Sequence, residues 1–393
     1  MFLNKQRVKV EKILFPVVYM VLYRTKLGLV LMDRLAKKHS KIIGTLSILG
    51  VIAGFIGMIV IIILLANGVY EFLFDGAPPP VAPLFPGIKT VPGVPVISFF
   101  HWIIAIFILA VVHEFSHGLV ARLHGVNVKS SGFAIFSFIF PVIPAAFVEP
   151  DEKELASKKN REQLEVLAAG SFSNMITAGV FLLIFSFILT PAFGSTTYSE
   201  GILIVNVQEG SPANLSGVNV GEEVLKVNNV EVENVNDFYT SLNALNPGDK
   251  VELATNVTLY SIIAAEPPKS AVNKVMFWKK NNGHHGINIS PIESGFKDGF
   301  EFIGKVLLWL TVLVFWVFAA NLGVGLFNLL PMGPLDGGKM FYLLCLSLFK
   351  NESQAKKIWV VVSLFCLALI FISLAPFLWK LLNYIFGIFV GLF

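Results

Sequence analysis

Residues 98–122 read SFFHWIIAIFILAVVHEFSHGLVAR and join a membrane-length apolar run to a cluster of ionisable side chains. About 20 apolar residues in a helix cross the hydrocarbon core of a bilayer, so this segment predicts a spanning helix. His113, Glu114 and His117 interrupt it, although one ionisable residue inside a span costs on the order of 2.5–3.5 kcal/mol on insertion scales. Three within five positions indicate a function, whereas the structural alternative is a polar patch that faces a cavity or joins helices.

The spacing of the two histidines is typical of a metal site. Residues four apart share one face of a helix, so His113 and His117 can offer two imidazole nitrogens to one Zn²⁺. Glu114 would then reach a water molecule bound beside them. Residue 113 lies about 22 Å along a helix that starts at residue 98, which is past the middle of a bilayer core of about 30 Å.

A third ligand has to come from another part of the chain, since catalytic zinc usually takes three protein ligands. Away from the ends of the predicted spans, Glu114 is the only carboxylate. The remaining candidate is Asp336, in the segment 328–338, NLLPMGPLDGG. One helix over 302–336 would be about 51 Å long, so we expect the prolines and glycines to break it and to leave Asp336 on the same side as His113.

Composition places the whole chain among membrane proteins. Of its 393 residues, 55% are hydrophobic and 14% are charged, and its mean hydropathy is +0.73, whereas a soluble domain has about 25% charged residues. The sequence predicts a polytopic α-helical membrane protein with five or six spans, the uncertain sixth within 381–393. The five long apolar stretches are 42–68, 98–122, 164–190, 302–330 and 357–378.

Charge predicts the orientation of these spans. The first 41 residues carry ten Lys or Arg and two acids, so the positive-inside rule places the N-terminus in the cytoplasm. Counting spans then puts 69–97 and 191–301 outside, and 123–163 and 331–356 inside. The net charge of +4 therefore reflects topology, and we expect the lipid bilayer but no nucleic acid as a partner.

Three other segments are not predicted to span. Two basic residues interrupt 13–32, which we interpret as an interfacial helix rather than a cleavable signal. The proline-rich segment 75–97 predicts an irregular external loop. Residues 131–149 are apolar, but Pro141 and Pro144 leave no room for an unbroken helix, so a hairpin or re-entrant segment is expected there.

A change of composition marks an inserted domain over 198–290. Charge density rises, and short β-branched runs appear at 201–207, 224–227 and 250–253, separated by turn residues. Residues 236–239, NDFY, have the pattern of a capped start of a short helix. About 93 residues suffice for one small domain, so a small β-rich domain is predicted between two spans.

The chain resembles the site-2 protease family of intramembrane metalloproteases. The resemblance rests on the run His113–His117, on Asn328–Gly337, and on Gly170-Ser171-Phe172-Ser173-Asn174, which is similar to the family's Gly-x-x-x-Asn feature. It covers roughly residues 98–378. The metal ligands that it implies are His113, His117 and Asp336, for one Zn²⁺ per chain.

The same resemblance implies an activity. Zinc-activated water, with Glu114 as general base, would cleave transmembrane segments of single-span membrane proteins inside the bilayer. Asn174 would help to hold the substrate or its oxyanion, unless it only joins helices. Residues 131–149 would form a membrane-embedded sheet near the site. The extra span at 42–68 resembles prokaryotic members, so we expect a multi-pass protein of a prokaryotic cell membrane.

The inserted domain resembles a single PDZ domain. Its run Gly210-Ser211-Pro212-Ala213 is typical, whereas Glu222 stands where Asp is common and Asn229 where Gly is. The resemblance implies binding of a peptide C-terminus by strand addition, or else a steric filter that screens bulky substrates. The carboxylate-binding loop would consist of Glu200, Gly201, Ile202 and Leu203.

The predicted organisation has six parts. They are a basic cytoplasmic or interfacial segment (1–41), a first span with the external loop (42–97), a first part of the protease core (98–190), the PDZ-like domain (198–290), a second part of the core with the broken helix (300–350), and the C-terminal span or spans (357–393).

Other functions remain open on the sequence alone. A membrane scaffold that binds protein termini through its PDZ-like domain would tolerate loss of His117. An ion transporter would need an inverted repeat of spans, which is not seen in the sequence. A zinc protease that trims prenylated tails fits neither the element around Asp336 nor the external insert.

Overall fold

The structure, a computed structural model, describes residues 8–14, 18–87, 96–138, 140–242, 245–265 and 285–390. The chain forms two compact units. One comprises residues 1–188 with 310–393, and the other comprises residues 189–309. The predicted irregular loop has neither helix nor strand over 75–87, and its residues 88–95 lie outside the described part.

Long helices dominate the first unit. Its helices are α1 (Leu29–Lys38), α2 (Ser40–Phe74), α3 (Phe99–Leu123), α4 (Glu152–Ala156), α5 (Asn160–Ile184), α9 (Glu301–Phe327, which starts in the second unit), α10 (Asp336–Phe349) and α11 (Glu352–Val390). Within the described residues, five helical segments are long and apolar enough to cross a membrane, which confirms the five predicted spans. They are Ser40–Phe74, Phe99–Leu123, Asn160–Thr196, Glu301–Phe327 and Glu352–Lys380.

A four-stranded antiparallel sheet accompanies these helices. Its strands are β1 (Val8–Leu14), β2 (Val18–Thr25), β3 (Val128–Phe138) and β4 (Phe140–Pro150), paired in chain order. β3 and β4 form the hairpin that was predicted over 131–149. β2 pairs with the other edge of β3, from Val18 opposite Phe138 to Thr25 opposite Ser131.

The predicted interfacial helix over 13–32 is wrong for most of its length, because β1 and β2 occupy this region and α1 begins only at Leu29. β2 is rich in β-branched and aromatic residues, which favour strands. It also satisfies backbone groups on the edge of β3 that a lone hairpin would leave unpaired. Near the end of β2, the guanidinium of Arg24 donates to Oε1 of Glu149 in β4 at 2.6 Å, which ties these two strands together across β3.

The predicted break before Asp336 is present. α9 ends at Phe327, and α10 begins at Asp336 after a tight turn. The N–H of Gly337 donates to the carbonyl of Asn328 at 2.8 Å, which closes the turn. A Cβ at residue 337 would collide with the backbone of Leu329, so the turn requires glycine there.

The second unit is a small β-rich domain. Its strands are β5 (Thr197–Val207), β6 (Glu223–Val227), β7 (Val230–Glu231), β8 (Lys250–Thr255), β9 (Leu259–Ile263) and β10 (Ile287–Phe296), with α6 (Thr190–Thr196), α7 (Pro212–Leu215) and α8 (Val235–Leu242). The main path through the sheet is β10-β5-β6-β8-β9. The three predicted strands and the short helix are confirmed. Its core includes the fully buried side chains of Ile202, Ile204, Phe238 and Ile262.

The expected carboxylate-binding loop at 200–203 is wrong. These residues lie inside β5, and both backbone edges of this strand are paired in their vicinity. Leu203 is opposite Ser290 of β10 on one side and opposite Glu223 of β6 on the other. A bound peptide therefore cannot add a strand here without displacing one of the two.

Glu222, where PDZ domains commonly have Asp, is a buried centre of hydrogen bonds in this unit. Its carboxylate accepts from Tyr260 Oη at 2.6 Å, Thr255 Oγ1 at 2.7 Å and Asn219 Nδ2 at 3.1 Å. Burial alone would raise the pKa of this carboxyl, but the hydrogen bonds outweigh it and lower the pKa.

Glu222→Gln is expected to lower the free energy of unfolding of the second unit by about 1–3 kcal/mol at pH 7, because the amide leaves buried donors unpaired. The pKa of Glu222 is lower in the folded state than in the unfolded state, where it is about 4.3. Above about pH 4.3 the ionised Glu222 therefore stabilises the folded state in full, and this stabilisation is lost as the pH falls through the folded-state pKa. The difference between wild type and variant should therefore shrink below about pH 4.

The rate at which an added protease cuts residues 189–309 in the intact chain measures the difference in stability between wild type and Glu222→Gln. The matched control is Glu231→Gln, because the side chain of Glu231 is 72% exposed. Equal susceptibility of the two variants at pH 7 would contradict the role given to Glu222.

Candidate metal centre

α3 places His113 and His117 one turn apart on the same face. Their Nε2 atoms lie 3.1 Å from each other, and the ring centroids are 4.7 Å apart. Both side chains are largely buried, with exposed fractions of 10% and 12%. The spacing in sequence therefore produces the predicted convergence of two imidazole nitrogens.

Asp336 reaches the same point from the first residue of α10. Its Oδ2 atom lies 3.2 Å from Nε2 of His113 and 3.2 Å from Nε2 of His117. A carboxylate has to be ionised to bind a metal in this position.

This triangle fits a zinc ion. Two imidazole nitrogens and one carboxylate oxygen are typical zinc donors, and an ion bound tetrahedrally at about 2.0–2.1 Å from each keeps them about 3.3 Å apart. The observed separations of 3.1–3.2 Å agree with that geometry. Three protein donors leave the fourth position for water or substrate, which is the composition of a catalytic site.

Backbone and side-chain groups behind the imidazoles fix their orientation. Nδ1 of His117 lies 2.7 Å from the carbonyl oxygen of Val166 in α5 and donates to it. The proton on Nδ1 leaves the lone pair of Nε2 free to face a metal. Nδ2 of the side-chain amide of Asn174 lies 3.1 Å from Nδ1 of His113. Only with this amide turned, so that its oxygen faces the ring, would Nδ1 of His113 donate and leave its Nε2 lone pair for a metal.

Asn174 thus lies behind His113, where it is fully buried. The sequence analysis expected it to hold substrate or an oxyanion, whereas its position favours a role in orienting a metal ligand. The residues that surround the cavity in front of the imidazoles do not include it.

Glu114 lies in the wall of that cavity, next to the three converging donors. The cavity has a volume of about 840 Å³, and strand β4 forms part of its wall. The backbone N–H of Val148 in β4 donates to Oε2 of Glu114 at 3.1 Å. The residues around it also include Arg24, Lys129, Glu149, Asp151, Glu152, Lys153 and Lys339.

Glu165 is a residue of this region that the sequence analysis missed. It is 2% exposed, and its carboxylate accepts from Ser47 of α2 at 2.6 Å, from Nε2 of His124 after α3 at 2.8 Å, and from Nε of Arg161 at 2.8 Å. It joins three helices directly before Val166, whose carbonyl orients His117. Its position near the start of the apolar stretch 164–190, where a carboxylate is unusual, was the signal in the sequence that could have identified it.

Gly170 on α5 leaves the space that the imidazoles occupy. A Cβ there would come within 2.6 Å of Nε2 of His113, and nearer still to Nε2 of His117. Gly170→Ala should therefore displace the imidazoles, with a loss of zinc affinity of about 10–100-fold, the range seen when the support of a ligand is removed. Zinc titration of the purified chain measures it.

Gly179→Ala is the matched control in the same helix, because a Cβ at residue 179 meets no described atom within 4 Å. We expect it to keep the zinc affinity of the wild type. Loss of affinity in both variants would mean that helix propensity, rather than the space at residue 170, is responsible.

Comparison with known proteins agrees with this geometry. The model of peptidase family M50 matches residues 101–370, which are more than half of the chain and include His113, Glu114, His117 and Asp336. An uncharacterised protein of Methanocaldococcus jannaschii is 29% identical over 321 residues, which are 80% of this chain and 74% of that protein.

Two bacterial proteins named as zinc metalloproteases are also similar. One, from Clostridium perfringens, is 23% identical over 65% of this chain and 90% of its own length. The other, zinc metalloprotease RasP of Shouchella clausii, is 24% identical over 53% of this chain and 56% of its own length. The chain therefore belongs to peptidase family M50, the site-2 protease family, and is an integral membrane zinc metalloprotease of that type.

Proposed function

We propose that this enzyme cleaves peptide bonds inside the transmembrane segments of single-span membrane proteins, with His113, His117 and Asp336 as its zinc ligands. The observation that carries the proposal is the position of two of the three donors, His113 and His117, on a candidate span. His113 lies 14 residues after the start of α3, or about 21 Å along a membrane-length helix. A site at that depth suits a substrate that is itself in the bilayer.

A transmembrane helix shields its peptide bonds through its own hydrogen bonds, so the substrate has to unwind before it is cut. β4 can pair with an unwound substrate, because it is an edge strand of its sheet within the described residues. The N–H of Val148 donates to Oε2 of Glu114 at 3.1 Å, so the backbone of this strand reaches the carboxylate of Glu114. An unwound substrate strand paired along β4 would have its scissile bond beside Glu114.

Glu114 carries the proton in this mechanism. Bound zinc would polarise the scissile carbonyl and acidify a water molecule. Glu114 takes the proton of that water and delivers it to the nitrogen of the leaving amine. The carbonyl of Val166 holds His117 in the tautomer that this requires, and Asn174 with its amide oxygen towards the ring would do the same for His113.

The proposed orientation follows the positive-inside rule. The N-terminus and the segment between α3 and α5 would face the cytoplasm, and the second unit would lie outside the cell. We propose a filtering role for the second unit, because the residues expected to bind a peptide C-terminus lie inside a paired strand. A scaffold without proteolytic activity has no specific support in the geometry of this unit.

Glu114→Gln is expected to keep zinc and to lower the cleavage rate of a single-span substrate by about 10²–10⁴-fold, the usual contribution of general acid–base catalysis. The amide occupies the same space but cannot accept the proton. Metal content and single-turnover cleavage of the purified full-length variant measure the two properties separately.

The matched control is Glu71→Gln, because Glu71 also lies in a spanning helix but pairs with Asn67 in α2. It should cleave at the wild-type rate. Full activity of Glu114→Gln would contradict the proposed mechanism, and absence of cleavage by the wild type on every single-span substrate would favour the scaffold.

A further inference from the structure

A second concave surface adjoins the active-site cavity. It is a groove of about 490 Å³ between α4, α5, α10 and the start of α11. Four of the residues around it also surround the active-site cavity, so the two share part of their walls. The shared residues are Glu152, Leu155, Leu167 and Lys339.

The floor of this groove is apolar. Leu155, Leu167 and Leu343 are joined by the rings of Tyr342 and Trp359, which contact each other at 6.1 Å between centroids. Trp359 also brings a polar group. Its Nε1 is buried and meets no hydrogen-bond acceptor among the described residues.

The rim of the groove is charged and mixed in sign. Glu152 and Glu352 provide two acids, and Lys339 and Lys356 provide two ammonium groups. The groove continues from the residues next to Asp336 along α10 towards the turn before α11. A peptide that runs from the metal centre along α10 would thus pass from the polar active-site cavity onto the apolar floor of the groove, which has a charged rim.

We propose that this groove binds the extended segment of the substrate on one side of the scissile bond, with one large apolar side chain against Leu343. The proposal rests on the proposed function. A peptide whose scissile bond lies at the metal centre extends past the four shared residues into the groove, where an apolar side chain matches the floor. The rim carries two acids beside two ammonium groups, so it offers an anionic lipid headgroup no net attraction.

The groove should therefore set a preference at one substrate position. A series of single-span substrates with Leu or Ala at each position around the cleavage site tests it. At one position, on one side of the bond only, the wild type should prefer Leu by roughly tenfold in kcat/KM, as burial of a few methylene groups allows. Leu343→Trp, which fills the groove, should abolish that preference.

Leu348→Trp is the matched control, because Leu348 lies in the same helix but is 66% exposed and is not part of the groove. It should keep the preference. Cysteine crosslinking provides a second readout that needs no turnover. In the Glu114→Gln background, Leu343→Cys should crosslink to a substrate cysteine at the preferred position, and Leu348→Cys should not.

The outcomes separate this inference from the proposed function. Cleavage by the wild type without any positional preference would overturn the groove while leaving the protease intact, and so would crosslinking of Leu343→Cys to phospholipid instead of substrate. A preference that Leu343→Trp and Leu348→Trp both retain would also overturn it. A wild type that cleaves none of the substrates would instead overturn the proposed function.

Discussion

His113, His117 and Asp336 direct three electron-pair donors at one point, with 3.1–3.2 Å between them. Buried lone pairs at such distances are unfavourable unless protons or a cation lie between them. A zinc ion would resolve this conflict and at the same time link α3 to α10, which belong to parts of the chain more than 200 residues apart. The packing of the first unit has to allow these three side chains to meet.

Several features of the fold bring these three side chains to one point. The break after α9 brings Asp336 to the start of a new helix, and Gly337 makes the tight turn possible. On the opposite side, Gly170 leaves room for the imidazoles, while Val166 and Asn174 orient them. These contributions come from α5, a single helix that Glu165 anchors to two neighbours. The same helix thus provides space, orientation and attachment.

Local patterns predicted the parts of this arrangement that depend on neighbours in sequence. The helical spacing of His113 and His117, the break before Asp336 and the strands of the second unit belong to this class. Pairings between distant segments could not be predicted in this way. β2 pairs with a strand more than 100 residues away. The local pattern predicted strands at 201–207 and 224–227 but not that β5 pairs with β6 on one side and β10 on the other, so the loop that the PDZ resemblance implies at 200–203 was not excluded. Glu165 was missed because Ser47 and His124 reach it from other helices.

X-ray absorption at the zinc edge of the purified full-length protein determines which atoms bind the metal. We predict one zinc per chain with two imidazole nitrogens and oxygen donors at about 2.0–2.1 Å. Asp336→Asn should weaken or remove the bound zinc. A spectrum with sulfur donors, or an unchanged coordination shell at full zinc occupancy in Asp336→Asn, would contradict coordination by His113, His117 and Asp336.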